Sequence, residues 1–241
     1  MVKLIITSTL AAMLVWAVGC SPQEDSSNIK TAGIYFEFEV TDSADKAEAV
    51  ATFWVGNKPG GTVLNLSGGD EIKVNGVRLS EQRGFNPIRY AATLDKADKY
   101  DFVFTRPDED PYSSLLAQMP KPVVITGPPA SDIARDKAFE VTWEDNSADS
   151  KTIELLIGGD CFWDYPDVQG DDVADSGSYS VASGGLKVKD LDKGETCAAT
   201  VRLKRKVNGV LCDSLKGTIK GYSVDTSTFN STPAATEVPA N

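Results

Sequence analysis

The sequence predicts an all-β protein built as two successive sandwiches, and three observations carry that expectation. Apolar residues recur at every second position from Ile34 onward, as in Ile34, Phe36, Phe38 and Val40, the period of a strand with one buried face. Turn signals separate these runs: Pro59-Gly60-Gly61, Ser67-Gly68-Gly69-Asp70, Asn75-Gly76 and Asn208-Gly209. The stretch Met119-Pro120-Lys121-Pro122 divides the chain, because proline withholds the N–H that a strand ladder needs.

The first sandwich is expected over residues 31–119. After Ile34 to Val40, a second strand runs from Ala47 to Val55, with Ala49, Ala51, Phe53 and Val55 on one face. Thr62 to Leu66 follows as a third. Ile72 and Val74 then lead through Asn75-Gly76 to Val77 and Leu79, a hairpin whose turn needs positive φ at both central residues. Ile88 to Leu94 and Tyr100 to Phe104 alternate in the same way, and Leu115, Ala117 and Met119 read as the closing strand. No apolar stripe of helical period and helical length interrupts this half.

The second sandwich is expected over residues 121–229. It opens with Val123 to Thr126, then Phe139-Glu140-Val141-Thr142-Trp143 with its odd positions inward, then Ile153, Leu155 and Ile157. A Gly- and Asp-rich loop is expected from Gly158 to Gly177, followed by strands around Tyr179, Leu186 and Val188. Ala199, Val201 and Leu203 lead into Asn208-Gly209, read as a second hairpin turn. Arg202, Lys204 and Lys206 alternate with Val201, Leu203 and Arg205 and read as the outward face of an edge strand. Residues 230–241 read as a disordered tail. Phe139 to Trp143 resembles the second strand of fibronectin type III domains, and Leu191 to Leu203 is similar to the segment entering their sixth. Cys197 stands near the place of the tyrosine that pins the corner there. The first half resembles a generic immunoglobulin-like sandwich.

The amino terminus carries an address. Lys3 is followed by a mainly apolar run from Leu4 to Val18, too short for a transmembrane helix of ~20 residues. It ends in Ala17-Val18-Gly19-Cys20, which resembles the bacterial lipobox, with Ala17 where leucine is more usual. The resemblance implies a signal peptide over residues 1–19 and lipid on Cys20. Ser21, where an aspartate would imply the inner membrane, implies the outer membrane. Residues 20–30 read as a flexible lipidated tether, polar and structureless. The whole chain is similar to uncharacterised two-sandwich lipoproteins of Gram-negative bacteria.

Composition removes much chemistry. The 241 residues hold no histidine, which excludes Ser-His-Asp and Cys-His catalysis and His-ligated zinc. The formal charge is −11, and losing residues 1–19 removes Lys3 alone among the charges. So acidic a chain repels nucleic acid. Beyond Cys20 three cysteines remain, and an oxidising compartment permits one pair. Cys161 with Cys197 is preferred, closing a loop worth about 4 kcal/mol in the chain-entropy model and leaving Cys212 free. Cys197 with Cys212, flanking Asn208-Gly209, is the rival.

The richest candidate site is Trp163, Asp164, Tyr165 and Asp167, whose aromatics suit a sugar and whose carboxylates suit a cation. Asp171, Asp172 and Asp175 extend the acidity but lack the alternating order of a calcium loop, so no cofactor is expected and calcium stands as the alternative. Packing of these side chains on the rim is the simpler reading. No metal ligands and no catalytic residues are assigned. The expectation is therefore a non-catalytic, lipid-anchored envelope module that contacts protein or glycan through its loops. A structural accessory lipoprotein without a ligand is the alternative, and a carboxylate glycosidase a weaker one, since no pair of acids is placed beside a cleft.

Overall fold

The computed structural model describes residues 23–43, 45–82, 84, 87–128, 132–144, 151–159, 161–162, 168–186, 188–189 and 194–234, with the backbone alone for 168–172. Among them the regular structure is strand, apart from two single turns of 3₁₀ helix at Ser26–Asn28 and Thr31–Gly33.

The first sandwich follows the alternation. Strands β1 (Gln23–Asp25), β2 (Ile34–Asp42), β3 (Lys46–Val55) and β4 (Val63–Asn65) lie in one sheet with β7 (Ser80–Gln82) and β8 (Arg89–Asp95). Facing it are β5 (Glu71–Val74), β6 (Val77–Arg78), β9 (Tyr100–Thr105) and β10 (Tyr112–Leu116), in the order β10-β9-β5-β6. The inward rows meet in an aromatic core. Phe38 stacks on Phe102 at 4.7 Å between centroids, and Phe36 meets Phe104 edge-on at 5.1 Å. The Asn75-Gly76 turn has φ of 48° and 80°, the positive pair that its sequence predicts. The closing strand is corrected in phase. Leu116, opposite Tyr100, is fully buried and Leu115 is 40% exposed, because register with β9 sends even positions inward.

The second sandwich packs β11 (Ile125–Gly127), β13 (Phe139–Trp143) and β16 (Ser178–Val181) against β14 (Thr152–Gly158), β15 (Val168–Ala174), β17 (Cys197–Asn208) and the distal part of β18 (Lys216–Thr232). Strand β12 (Asp132–Ala134) lies parallel on the end of β18. Trp143, Leu155, Val201, Leu203 and Phe229 fill this second interior. Both halves are thus immunoglobulin-like sandwiches.

One strand belongs to both. β18 runs for 17 residues, about 56 Å of extended chain. Its first half pairs in parallel with β2, from Lys216 opposite Tyr35 to Ser223 opposite Asp42. From Lys220 to Ser231 it pairs antiparallel with β17. Its inward residues change with the partner: Ile219 enters the first core and Phe229 the second. Between them, Ser223 and Asp225 accept the N–H groups of Val123 and Ile125 at 3.0 and 2.8 Å, so the crossing linker is tied down where the interior changes hands. Gly217 is required here, since at φ 148° a Cβ would collide with the backbone of Phe36.

Four further expectations change. Asn208-Gly209 makes no two-residue turn: Asn208 pairs with Lys220, and Val210 exchanges two 2.8 Å backbone bonds with Leu115, drawing the connection out over the first sandwich. The Gly158–Gly177 loop contains β15, which pairs with β14. The expected disordered tail does not start at Asn230, because Asn230 to Thr232 are paired by β12 and β17, with Ser231 fully buried. The expected tether is structured from Gln23: β1 pairs with β4, and Ser26 is fully buried.

Candidate functional site

The direction of β18 sorts the molecule into ends. Its start lies beside Tyr35, so Ile34 and the segment entering β2 mark one extremity. Its finish lies beside Cys197 and β12 at the other. β14 is antiparallel to β17, and Gly158 pairs with Thr200, so the connection from β14 to β15 sits at that second extremity. The candidate residues Trp163, Asp164, Tyr165 and Asp167 belong to this connection and lie outside the described residues, as does Cys20 at the opposite terminus.

The framework of the far end is tightly built. A disulfide joins Cys161 to Cys197, the preferred pairing, with Cα atoms 6.1 Å apart. It ties the residue before Phe162 to the first residue of β17, near the corner where the fibronectin comparison misses a tyrosine. Phe162 donates its N–H to Gly159 at 3.1 Å and bridges Val188, and Lys189 donates to the carbonyl of Cys161 at 2.9 Å. Arg135, 3% exposed, follows β12 and closes the base of this end. Its guanidinium donates to Ser231 Oγ at 3.1 Å, to Cys197 Sγ at 3.2 Å and to the carbonyl of Glu195. A covalent link and a charged clamp thus hold the start of β17 to the end of β18 and to Cys161, two residues before the undescribed segment 163–167. Cys212 remains a free, half-buried thiol packed against the first core.

Of the acidic run, Asp175 is the member whose side chain is described. Asp175 follows β15 at the junction of the sandwiches, about seven residues and some 23 Å from Val168. There it is buried and bound by Arg205, whose Nε reaches Oδ2 at 2.6 Å and Nη2 reaches Oδ1 at 2.9 Å. Both side chains are fully buried. The indole of Trp143 donates to Asp175 Oδ1 at 2.8 Å. The remaining guanidinium N–H groups go to the carbonyls of Lys121, Pro122 and Glu144 at 3.2, 3.0 and 3.2 Å. Every donor of a buried cation is therefore used, the condition for tolerating it. Asp175 is thereby engaged at the junction, while the side chains of Asp171 and Asp172 lie outside the described residues. Among the described residues no group of three or more potential metal ligands converges.

This network escaped the sequence reading, although a signal was present. Arg205 falls on the inward register of β17, with Ala199, Val201 and Leu203, where an arginine must find a partner. Two related contacts occupy the other face of the shared sheet. Tyr222 donates to Glu39 at 3.1 Å across the β18–β2 seam, and Lys204 lies 3.8 Å above the Tyr222 ring. Burial, then the Glu39 charge, pushes the Tyr222 hydroxyl well above its usual range. A cavity of about 530 Å³ at the junction is lined by Asp42, Lys96, Met119, Pro120 and Pro122. Burial raises the Asp42 pKa, opposed by the Lys96 charge and the Tyr100 hydroxyl.

No family model matches the chain, and no curated protein matches it. A solved structure described as DIP-gamma IG1+IG2 is 8% identical, with 83% of this chain and 98% of that one covered and a TM-score of 0.22. The assignment to immunoglobulin-like sandwiches rests on the strand pairing above.

Proposed function

We propose that the protein is a lipid-anchored envelope lipoprotein, held by Cys20 in the outer membrane, that acts as a rigid, non-catalytic stalk. It presents the far end of its second sandwich to a protein or glycan. The observation that carries this reading is the opposition of the two ends along β18. The described chain enters at Gln23, level with the start of that strand, while the disulfide holds Cys161 beside its finish. A shared sheet and a saturated ionic junction favour a fixed reach over independent motion of two modules. The second sandwich is of fibronectin type III kind, supported by the fourth strand lying beside β14, where constant-type immunoglobulin domains place theirs beside the equivalent of β16.

Aromatic side chains are the usual anchors of a recognition surface, the role proposed for Trp163 and Tyr165. The test is retention of envelope proteins and glycans by the immobilised protein and by its Trp163→Ala variant. A defined partner whose affinity drops more than tenfold in the variant supports the proposal. Equal retention by both proteins refutes the assignment of the loop. Mass spectrometry of the membrane-extracted protein tests acylation of Cys20.

A further inference from the structure

We infer that the near end of the first sandwich rests directly on the bilayer, held there by a clamped arm in place of a free tether. This builds on the proposed anchoring at Cys20. The arm is residues 23–33, and four sets of contacts fix it. β1 pairs with β4 over Gln23 to Asp25. Ser27 donates its N–H to Ser67 Oγ at 3.2 Å, and Ser67 donates its own to Ser26 Oγ at 2.9 Å. Arg106 then grips the arm from below. Its Nη1 reaches the Ile29 carbonyl at 2.8 Å and Thr31 Oγ1 at 3.0 Å, and its Nη2 reaches the Ser26 carbonyl at 2.8 Å. Nε binds Asp70 Oδ1 at 3.1 Å, with the two side chains only 8% and 2% exposed, so the cation is itself held rigidly. Finally Thr31 donates to Glu109 at 2.8 Å, and Tyr112 donates to the same oxygen at 2.6 Å.

The consequence is a matter of reach. Cys20 is three residues before Gln23, so their Cα atoms lie no more than about 11 Å apart. An acyl group on Cys20 therefore brings the arm, and the body to which it is clamped, to the headgroups. Among the described residues, that end includes the turn after β3, joined by Gly56 N–H to the Gly33 carbonyl at 2.9 Å, and the turn after β9. Exposed Lys30, Lys58 and Lys216 stand there among exposed Asp25, Asp108, Glu109 and Asp110. This mixture of signs suits zwitterionic headgroups and needs no anionic lipid. β18 starts at this end and leads away from it, so the clamp also directs the second sandwich outward.

The experiment uses the full-length acylated protein in vesicles of phosphatidylcholine and phosphatidylethanolamine. A donor fluorophore is placed at Ser183→Cys in a Cys212→Ser background, with acceptor lipid in the outer leaflet. Ser183 lies by Arg135 at the far end, where its hydroxyl donates to the Asp136 carbonyl, so transfer is expected to be low across roughly 56 Å. Arg106→Ala is expected to raise it at least twofold as the body swings down, and to abolish hydrogen-exchange protection at Ile29 and Gly33. Should Arg106→Ala not fold, Thr31→Val with Ser67→Ala removes arm contacts while keeping the Arg106–Asp70 pair. High transfer in the parent that neither variant changes would overturn the clamp alone. A Cys20 without acyl chains would remove the anchor itself, and this inference with it.

Discussion

Arg205→Met is expected to destabilise the protein by about 3–5 kcal/mol, the range for removing one partner of a buried ion pair. The variant leaves Asp175 charged and buried with one indole donor, and it strips the carbonyls of Lys121, Pro122 and Glu144 of their N–H partners. Urea unfolding measures the loss. Asp175→Leu combined with Arg205→Met is expected to recover only the part due to the orphaned carboxylate, because the three carbonyl bonds stay broken and the Trp143 indole loses its acceptor. A double-mutant cycle therefore separates the pair's net value from the penalty of orphaning a charge. A single-variant loss below 1 kcal/mol would show that the junction relaxes around the gap.

Loss of the Cys161–Cys197 disulfide carries the second large effect. The cysteines are 36 residues apart, and a closed loop of that size gives about 4 kcal/mol in the chain-entropy model. Cys161→Ser with Cys197→Ser is expected to lower stability by that order. Exchange protection should fall first at residues 159–162 and 195–199, and that of β2 should persist. Alkylation of the native parent chain should modify Cys212 and spare Cys161 and Cys197. Modification of Cys161 or Cys197 before unfolding would contradict the pairing.

Much of the fold was legible because a strand with one buried face writes itself in alternation. β2, β9, β13 and β14 each place their odd or even apolar row inward as the sequence implies. The Asn75-Gly76 turn was legible because few residue pairs accept two positive φ angles. β18 was not. Its sequence, Lys216 to Thr232, carries serines and glycines at most inward positions, because a linker and a second strand occupy the space that large apolar side chains would otherwise fill. The clamped arm was hidden for a related reason. Residues 23–30 are polar in composition, and only Arg106, more than 70 positions away, converts their backbone groups into satisfied partners. The ionic junction lay between these cases: the inward phase of Arg205 was visible, but its partner stood 30 residues earlier, inside an acidic stretch that resembled a solvated loop.

The final strand also dictates an order of events. A chain delivered amino end first, by a ribosome or through a membrane pore, exposes β2 long before Lys216 to Ser223 arrive to lie against it. Until then the edge of β2 has no neighbour, and the places of Leu215 and Ile219 in the first interior stand empty. The amino-terminal half must therefore wait for the carboxyl-terminal quarter before it closes, and a premature stop after residue 214 forfeits both halves at once.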